Sequence, residues 1–107
     1  MKANKAVSMI GLAMRAGKVV SGEFAAEKAV KTKKASLVIV ATDASDNTKK
    51  LFTNGCQYYH IPLVFYSTKK ELGRILGKDI RASIAILDHG FGEQIQKHIE
   101  AQNQMEV

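Results

Sequence analysis

Two glycine-punctuated basic runs hold the residues best suited to chemistry here, and what they suit is gripping phosphate. The first is Arg15-Ala-Gly-Lys18-Val-Val-Ser21-Gly22-Glu23. It leads into a segment with helical spacing, and a helix N-terminus offers free backbone amides and a positive dipole end. Gly22 permits close approach of another backbone. Lys28 and Lys31 follow one and two turns further along, near the same side. An ordinary capped helix with solvated lysines reads the same way. Neither G-x-G-x-x-G nor G-x-x-x-x-G-K-[ST] is present, so this is not a nucleotide-binding glycine loop. The second run extends from Ser67 to Arg81, with Lys69, Lys70, Arg74, Lys78 and Arg81 around Gly73 and Gly77, and Ile80 among them. Cations hold phosphates, and an apolar side chain beside them can cover an extruded or unpaired base. The plainer alternative is a tight helix with a solvated charged face.

The acids, histidines and thiol form no catalytic set. Asp43 follows an apolar run and Asp88 another, with His60, His89 and His98 apart from both. No metal-ligand spacing and no nucleophile-base pair with a third group can be assembled from them. Asp43 reads as a turn or cap residue and Asp88 as a helix cap. Cys56, the single cysteine, lacks an activating motif and reads as a small buried residue. Tyr58-Tyr59 and Phe65-Tyr66 could stack on bases, but packing with a hydroxyl in water is the simpler role. No catalytic residue, metal or cofactor is expected.

The elements that must position the basic runs are legible from periodicity. Ala3, Ala6, Val7, Ile10, Ala13 and Met14 have helical spacing, giving a helix over about residues 2–16 with Gly17 at its C′ position. A short strand over residues 18–20 follows, and Ser21 is expected to cap a second helix that ends near Thr32, with Ala25, Ala26, Ala29 and Val30 inward. Residues 36–41 are a continuous β-branched run, expected as a central strand covered on both faces. A third helix over residues 47–57, a strand over 61–66, a short helix capped by Ser67 or Thr68 and ended by Gly77, a strand over 82–87 and a final helix complete the chain. The tail after about residue 102 is expected to fray. Alternating helices and strands imply an α/β fold, a three-layer α-β-α sandwich with a mixed sheet of about four strands.

The chain has 107 residues and 46% hydrophobic residues, enough for one domain with a core that needs no disulfide or metal. Sixteen Lys and Arg against ten Asp and Glu give a net charge of +6, which favours a polyanionic partner. The charge is uneven: residues 1–81 carry +9 and residues 82–107 carry −3. The last segment should lie away from any polyanion. No signal-peptide pattern and no apolar run of about 20 residues is present. A cytoplasmic location and no membrane partner are expected.

The ordered set Gly22 with Lys28, Ala35-Ser-Leu-Val-Ile-Val-Ala-Thr-Asp43, Ile61-Pro62 and Leu72-Gly73-x-x-x-Gly77 resembles the ribosomal protein L-seven-Ae / L-thirty-e family. Gly11-Leu-Ala-Met-Arg15-Ala-Gly17-Lys18 and Asp43-Ala-Ser-x-Asn47-Thr48 are similar to its bacterial YlxQ-like branch. The resemblance spans about residues 6–100. It implies binding of kink-turn RNA, no catalysis and no cofactor. By this resemblance, Gly22 lets the helix approach the RNA backbone and Lys28 reaches into the kinked groove. Lys69 matches a basic position ahead of the Leu-Gly motif. Lys78 and Ile80 fall in the loop over the bulged nucleotide, with Arg81 beside them. Archaeal members place Asn and Glu two and three residues after the helix glycine, where they read purine edges. Here Phe24 and Ala25 stand there, and neither can hydrogen-bond a base through its side chain. Glu23 is nearby, displaced by one residue. Phe24 either stacks on a base or points into the core.

The expected partner is structured RNA: ribosomal RNA, a riboswitch or another kink-turn RNA, with the ribosome as a possible setting and a monomer as the free state. The basic surface comprises Gly22, Glu23, Phe24, Lys28, Lys31, Lys69, Lys78, Ile80 and Arg81. Two rival readings stand beside it. One is a protein-interaction or assembly module whose basic face docks an acidic partner. The other is a small nucleotide-acting enzyme using Asp43 and Asp88; a related version makes the chain the substrate-binding half of an RNA methyltransferase.

Overall fold

The computed structural model describes residues 4–105. Its elements run α1 (Lys5–Arg15), β1 (Val19–Ser21), α2 (Glu23–Lys31), β2 (Leu37–Val40), α3 (Asp46–Tyr59), β3 (Leu63–Phe65), α4 (Lys69–Ile75), β4 (Ser83–Ile86) and α5 (His89–Met105). The four strands form one mixed sheet in the order β1-β4-β2-β3. β4 is antiparallel to both β1 and β2, whereas β2 and β3 are parallel.

The two central strands are the two apolar runs: every residue of β2 and β4 is buried. That is the pattern of strands covered on both faces. α1 packs on α5 and α4, and α2 packs on α3, so the helices form two groups with the sheet between them. The helices earn their places through one face each. Ala6, Ile10 and Ala13 are buried along α1, and Ala26, Ala29 and Val30 along α2. Phe52, Ile10, Leu37, Ile39, Leu72, Ile84, Ile86, Ile95 and Ile99 are the largest fully buried side chains among the described residues. Each contributes about 1.5–3 kcal/mol by leaving water.

Element ends follow local chemistry. Asn4 caps α1, its side chain accepting from the Val7 amide at 3.2 Å. Gly17, at φ 73°, follows α1, with the Lys18 amide donating to the Ala13 carbonyl at 2.9 Å. That closes the helix as expected. Lys2 and Ala3, placed in this helix by the periodicity, lie outside the described residues. Ser45 caps α3 and Thr68 caps α4 through their hydroxyls.

Three expectations change. Ser21 does not cap α2: it closes β1, paired with Ile84, and Gly22 takes the cap position without a side chain. α2 does end as expected, with Thr32 at its C-cap, and Lys33 beyond it takes the left-handed region at φ 59°, a conformation usually given to glycine. β3 is half the expected length: its ladder with β2 covers only Leu63–Phe65, and Pro62 just before it has no amide to donate, joining β2 only through its carbonyl, which accepts from the Val38 amide at 2.9 Å. α5 continues to Met105, where fraying after residue 102 was expected. The Gln102 amide donates to Asn4 Oδ1 at 2.8 Å and its oxygen accepts from the Tyr66 hydroxyl at 3.2 Å. These contacts tie α5 to the start of α1.

Candidate nucleic-acid interface

Strand direction decides where the basic runs meet. β1, β2 and β3 all run opposite to β4, so their C-terminal ends and the start of β4 share one end of the sheet. α2, α3 and α4 each follow one of those strands. Three helix N-termini therefore open at this end, together with the loop over residues 76–82. Each N-terminus carries free amides and about half a positive charge.

The α2 terminus is set by Gly22, at φ 92° and ψ 155°, a region open essentially to glycine alone. Its amide donates to the Ser83 carbonyl at 3.0 Å, which locks the helix start onto the start of β4. Glu23 turns toward α3, accepting from the Thr48 hydroxyl at 3.2 Å. Phe24 is 82% exposed. It does not point into the core, which leaves the first turn of α2 with an aromatic ring facing solvent. Lys28 is exposed one turn further on. Lys31 lies another turn away and pairs with Glu27 at 3.3 Å, an exposed pair worth little to stability.

The second run is held by its glycine. A Cβ on Gly73 would lie 2.7 Å from the Asp79 carbonyl oxygen and 2.9 Å from the Ile80 nitrogen. Only glycine lets the loop rest directly on α4. The loop is pinned at both ends, the Lys78 amide donating to the Gly73 carbonyl at 2.7 Å and the Arg81 amide to the Lys69 carbonyl at 3.0 Å. Arg81 Nε donates to Ser21 Oγ at 2.9 Å, tying the loop to the corner that launches α2. Lys78 is exposed and Ile80 is 56% exposed. Arg81 and Lys69 are half-buried.

Most carboxylates near this end are engaged. Asp43 Oδ1 accepts from the Lys69 amide at 2.8 Å. Glu71 is bonded to Arg74, whose guanidinium holds its carboxyl below the usual value. Lys28, Lys69, Lys78 and Arg81 enter no salt bridge among the described residues. All nine residues singled out by sequence thus lie on α2 or on the elements beside its N-terminus, with Lys31 the most remote.

Three supporting residues escaped sequence reasoning. Asp43 was read as a turn or cap residue, but its target, the start of α4, was not legible. Ser21 was assigned the wrong partner, and Thr48 none. Only the position of Asp43, just past a central strand, gave any signal. Asp43→Ala is expected to cost about 1 kcal/mol, as loss of a helix cap does. A thermal melt should show Tm lower by about 4–8 °C; an unchanged Tm would mean the bond contributes nothing.

The groups weighed for catalysis are not brought together. Asp43 and Asp88 follow the antiparallel strands β2 and β4, so they stand at opposite ends of the sheet. Asp88 caps α5, accepting from the Phe91 amide at 2.9 Å. Burial pushes the Cys56 thiol up to about 11, leaving it protonated at neutral pH. No group of three or more His, Cys, Asp or Glu among the described residues could hold a metal ion. No helix there is long and apolar enough to cross a membrane.

Comparison with known proteins places the chain in a family and supports the fold. Residues 4–99 match the model of the ribosomal protein L7Ae/L30e/S12e/Gadd45 family. The RNA-binding protein YlxQ of Bacillus subtilis is 41% identical over 87 residues, covering 81% of this chain and 87% of that protein. Its namesake from Enterococcus faecium is 40% identical over 90% of this chain and 92% of its own length. The large ribosomal subunit protein eL8 of Thermoplasma volcanium is 28% identical over 89% of this chain and 79% of its own length. Among solved structures, a Bacillus halodurans protein of unknown function superposes with TM-score 0.88 at 36% identity, covering 92% of this chain and 99% of that one. The Giardia lamblia 15.5kD RNA binding protein shares the fold, with TM-score 0.74 at 21% identity, over 98% and 93%. The resemblance read from Gly22, Lys28 and the Leu72-Gly73 motif therefore holds, and the chain belongs to the ribosomal protein L7Ae/L30e/S12e/Gadd45 family.

Proposed function

We propose that this protein binds structured RNA without catalysis, using the sheet end where α2, α4 and the 76–82 loop meet. The observation that carries the reading is the joining of two sequence-distant basic runs into one surface by the Arg81–Ser21 and Gly22–Ser83 bonds. Relatives described as RNA-binding and ribosomal proteins support it. The finer reading is a kink-turn or similarly bent RNA, bound in the cytoplasm by a ribosomal-protein-like factor that is monomeric when free.

A sharp bend crowds phosphates and costs stacking. The protein does no chemistry on such an RNA; it shifts an equilibrium toward the bent form. Reversing a 1:99 population needs about 5.5 kcal/mol of differential binding. Charge-assisted hydrogen bonds contribute about 1.5–3 kcal/mol each. Lys28, Lys69, Lys78 and Arg81, in no salt bridge among the described residues, would suffice if each met phosphate only in the bent form.

Lys28→Ala should weaken binding to a kink-turn RNA and lower the slope of log affinity against log salt by about 1. Lys97→Ala, on α5, should change neither. Equal effects from the two would remove the site from α2.

A further inference from the structure

A groove lies between α2 and the edge strand β1, lined among others by Val20, Phe24, Lys28, Ala29, Lys34 and Leu87, with a volume of about 370 Å³. Its chemistry is one-sided. Its lining is mostly apolar carbon with two lysines and one threonine, and no carboxylate lines it; the threonine hydroxyl donates to the Lys28 carbonyl at 2.8 Å. Glu27, the nearest acid on α2 in sequence, is turned to Lys31. The groove begins at exposed Phe24, on the surface proposed for the bent RNA, and ends at Lys34. The turn after α2 fixes that end, with the Lys34 amide on the Ala29 carbonyl at 2.9 Å.

We propose that this groove is a second RNA subsite, taking a single-stranded segment that continues from the bent element. The proposal rests on the RNA-binding reading and extends it. Single strands are held by apolar or aromatic surface under the bases and cations along the backbone, and the groove presents both. From Phe24 to Thr32 is about 12 Å of helix at ~1.5 Å per residue, the length of about three stacked nucleotides at ~3.4 Å each. Phe24 then has a role that replaces purine-edge reading: it is the stacking platform at the junction between bent and single-stranded RNA. An acidic peptide is disfavoured because the groove continues, through Phe24 and Lys28, the surface proposed for RNA.

The test compares a blunt-ended kink-turn RNA with the same RNA carrying a single-stranded extension of about four nucleotides at its 5′ or 3′ end. Affinities are measured for the full chain, for Lys34→Glu and for Lys97→Glu. One extension should raise wild-type affinity about tenfold, the scale of a single base stack. Lys34→Glu should abolish that gain while binding the blunt RNA as wild type does, and Lys97→Glu should keep it. Wild-type binding to blunt RNA with no gain from either extension would overturn the groove and leave the RNA reading intact. A gain that survives Lys34→Glu would also overturn it, placing the strand elsewhere. Loss of blunt binding in Lys34→Glu would deny that the subsite is separate. No wild-type binding to any of these RNAs would sink the RNA reading itself, and the groove with it.

Discussion

Gly73→Ala should cost about 1–3 kcal/mol of stability and at least about tenfold in RNA affinity. The added methyl would overlap the Asp79 carbonyl and the Ile80 amide. Both are backbone atoms, so no side chain can rotate away to make room. The loop must lift, yet it is bonded to Gly73 and Lys69 at its two ends. Lifting it strains those bonds and moves Lys78, Ile80 and Arg81 together. An affinity loss of about 1.4 kcal/mol, tenfold, is the least that displacing three contacts should produce. The measurement is RNA titration at a temperature where melts show both proteins folded. A variant that melts and binds like wild type would mean the loop has room the geometry denies it.

Ile80→Asp separates recognition from folding. Ile80 is 56% exposed, so stability should stay within about 0.5 kcal/mol. RNA affinity should fall about a hundredfold. Loss of an apolar contact to an unpaired base accounts for about 1.5 kcal/mol, and a carboxylate beside phosphate adds about 1 kcal/mol. Ile80→Val, which keeps the apolar contact, should bind within about threefold of wild type. If Ile80→Asp bound equally well, no base would rest on this loop.

What was legible in the sequence was whatever depends on neighbours along the chain. The β-branched run at Leu37–Val40 announced a central strand and the run at Ser83–Ile86 a strand, which the sheet order also makes central, and Gly17 and Gly77 announced helix ends. The end of α2 near Thr32 was legible too, but the left-handed residue that follows it, Lys33, was not, because nothing in a lysine marks that conformation. The site was legible as two basic runs but not as one surface. The bonds that join it link residues far apart: Asp43 to Lys69 across 26 positions and Ser21 to Arg81 across 60. Ser21 looked like a cap because serine before a helix usually is one. Pairing with β4 placed it in the sheet instead. The orientation of Phe24 was open for a similar reason. An apolar residue at the first turn fits either face, and only the packing of Ala26, Ala29 and Val30 turned it outward.

The role of a family member with Phe24 and Ala25 in place of a polar pair turns on one comparison. Binding is measured to a kink-turn RNA and to a length-matched duplex without the bulge, each at two salt concentrations. Preference for the kink-turn by at least about tenfold, persisting at the higher salt, is the predicted result, because salt weakens phosphate contacts on both RNAs while only the bent one meets the loop and Phe24. Equal affinities that fall together with salt would contradict it and leave a general basic RNA-binding surface in its place.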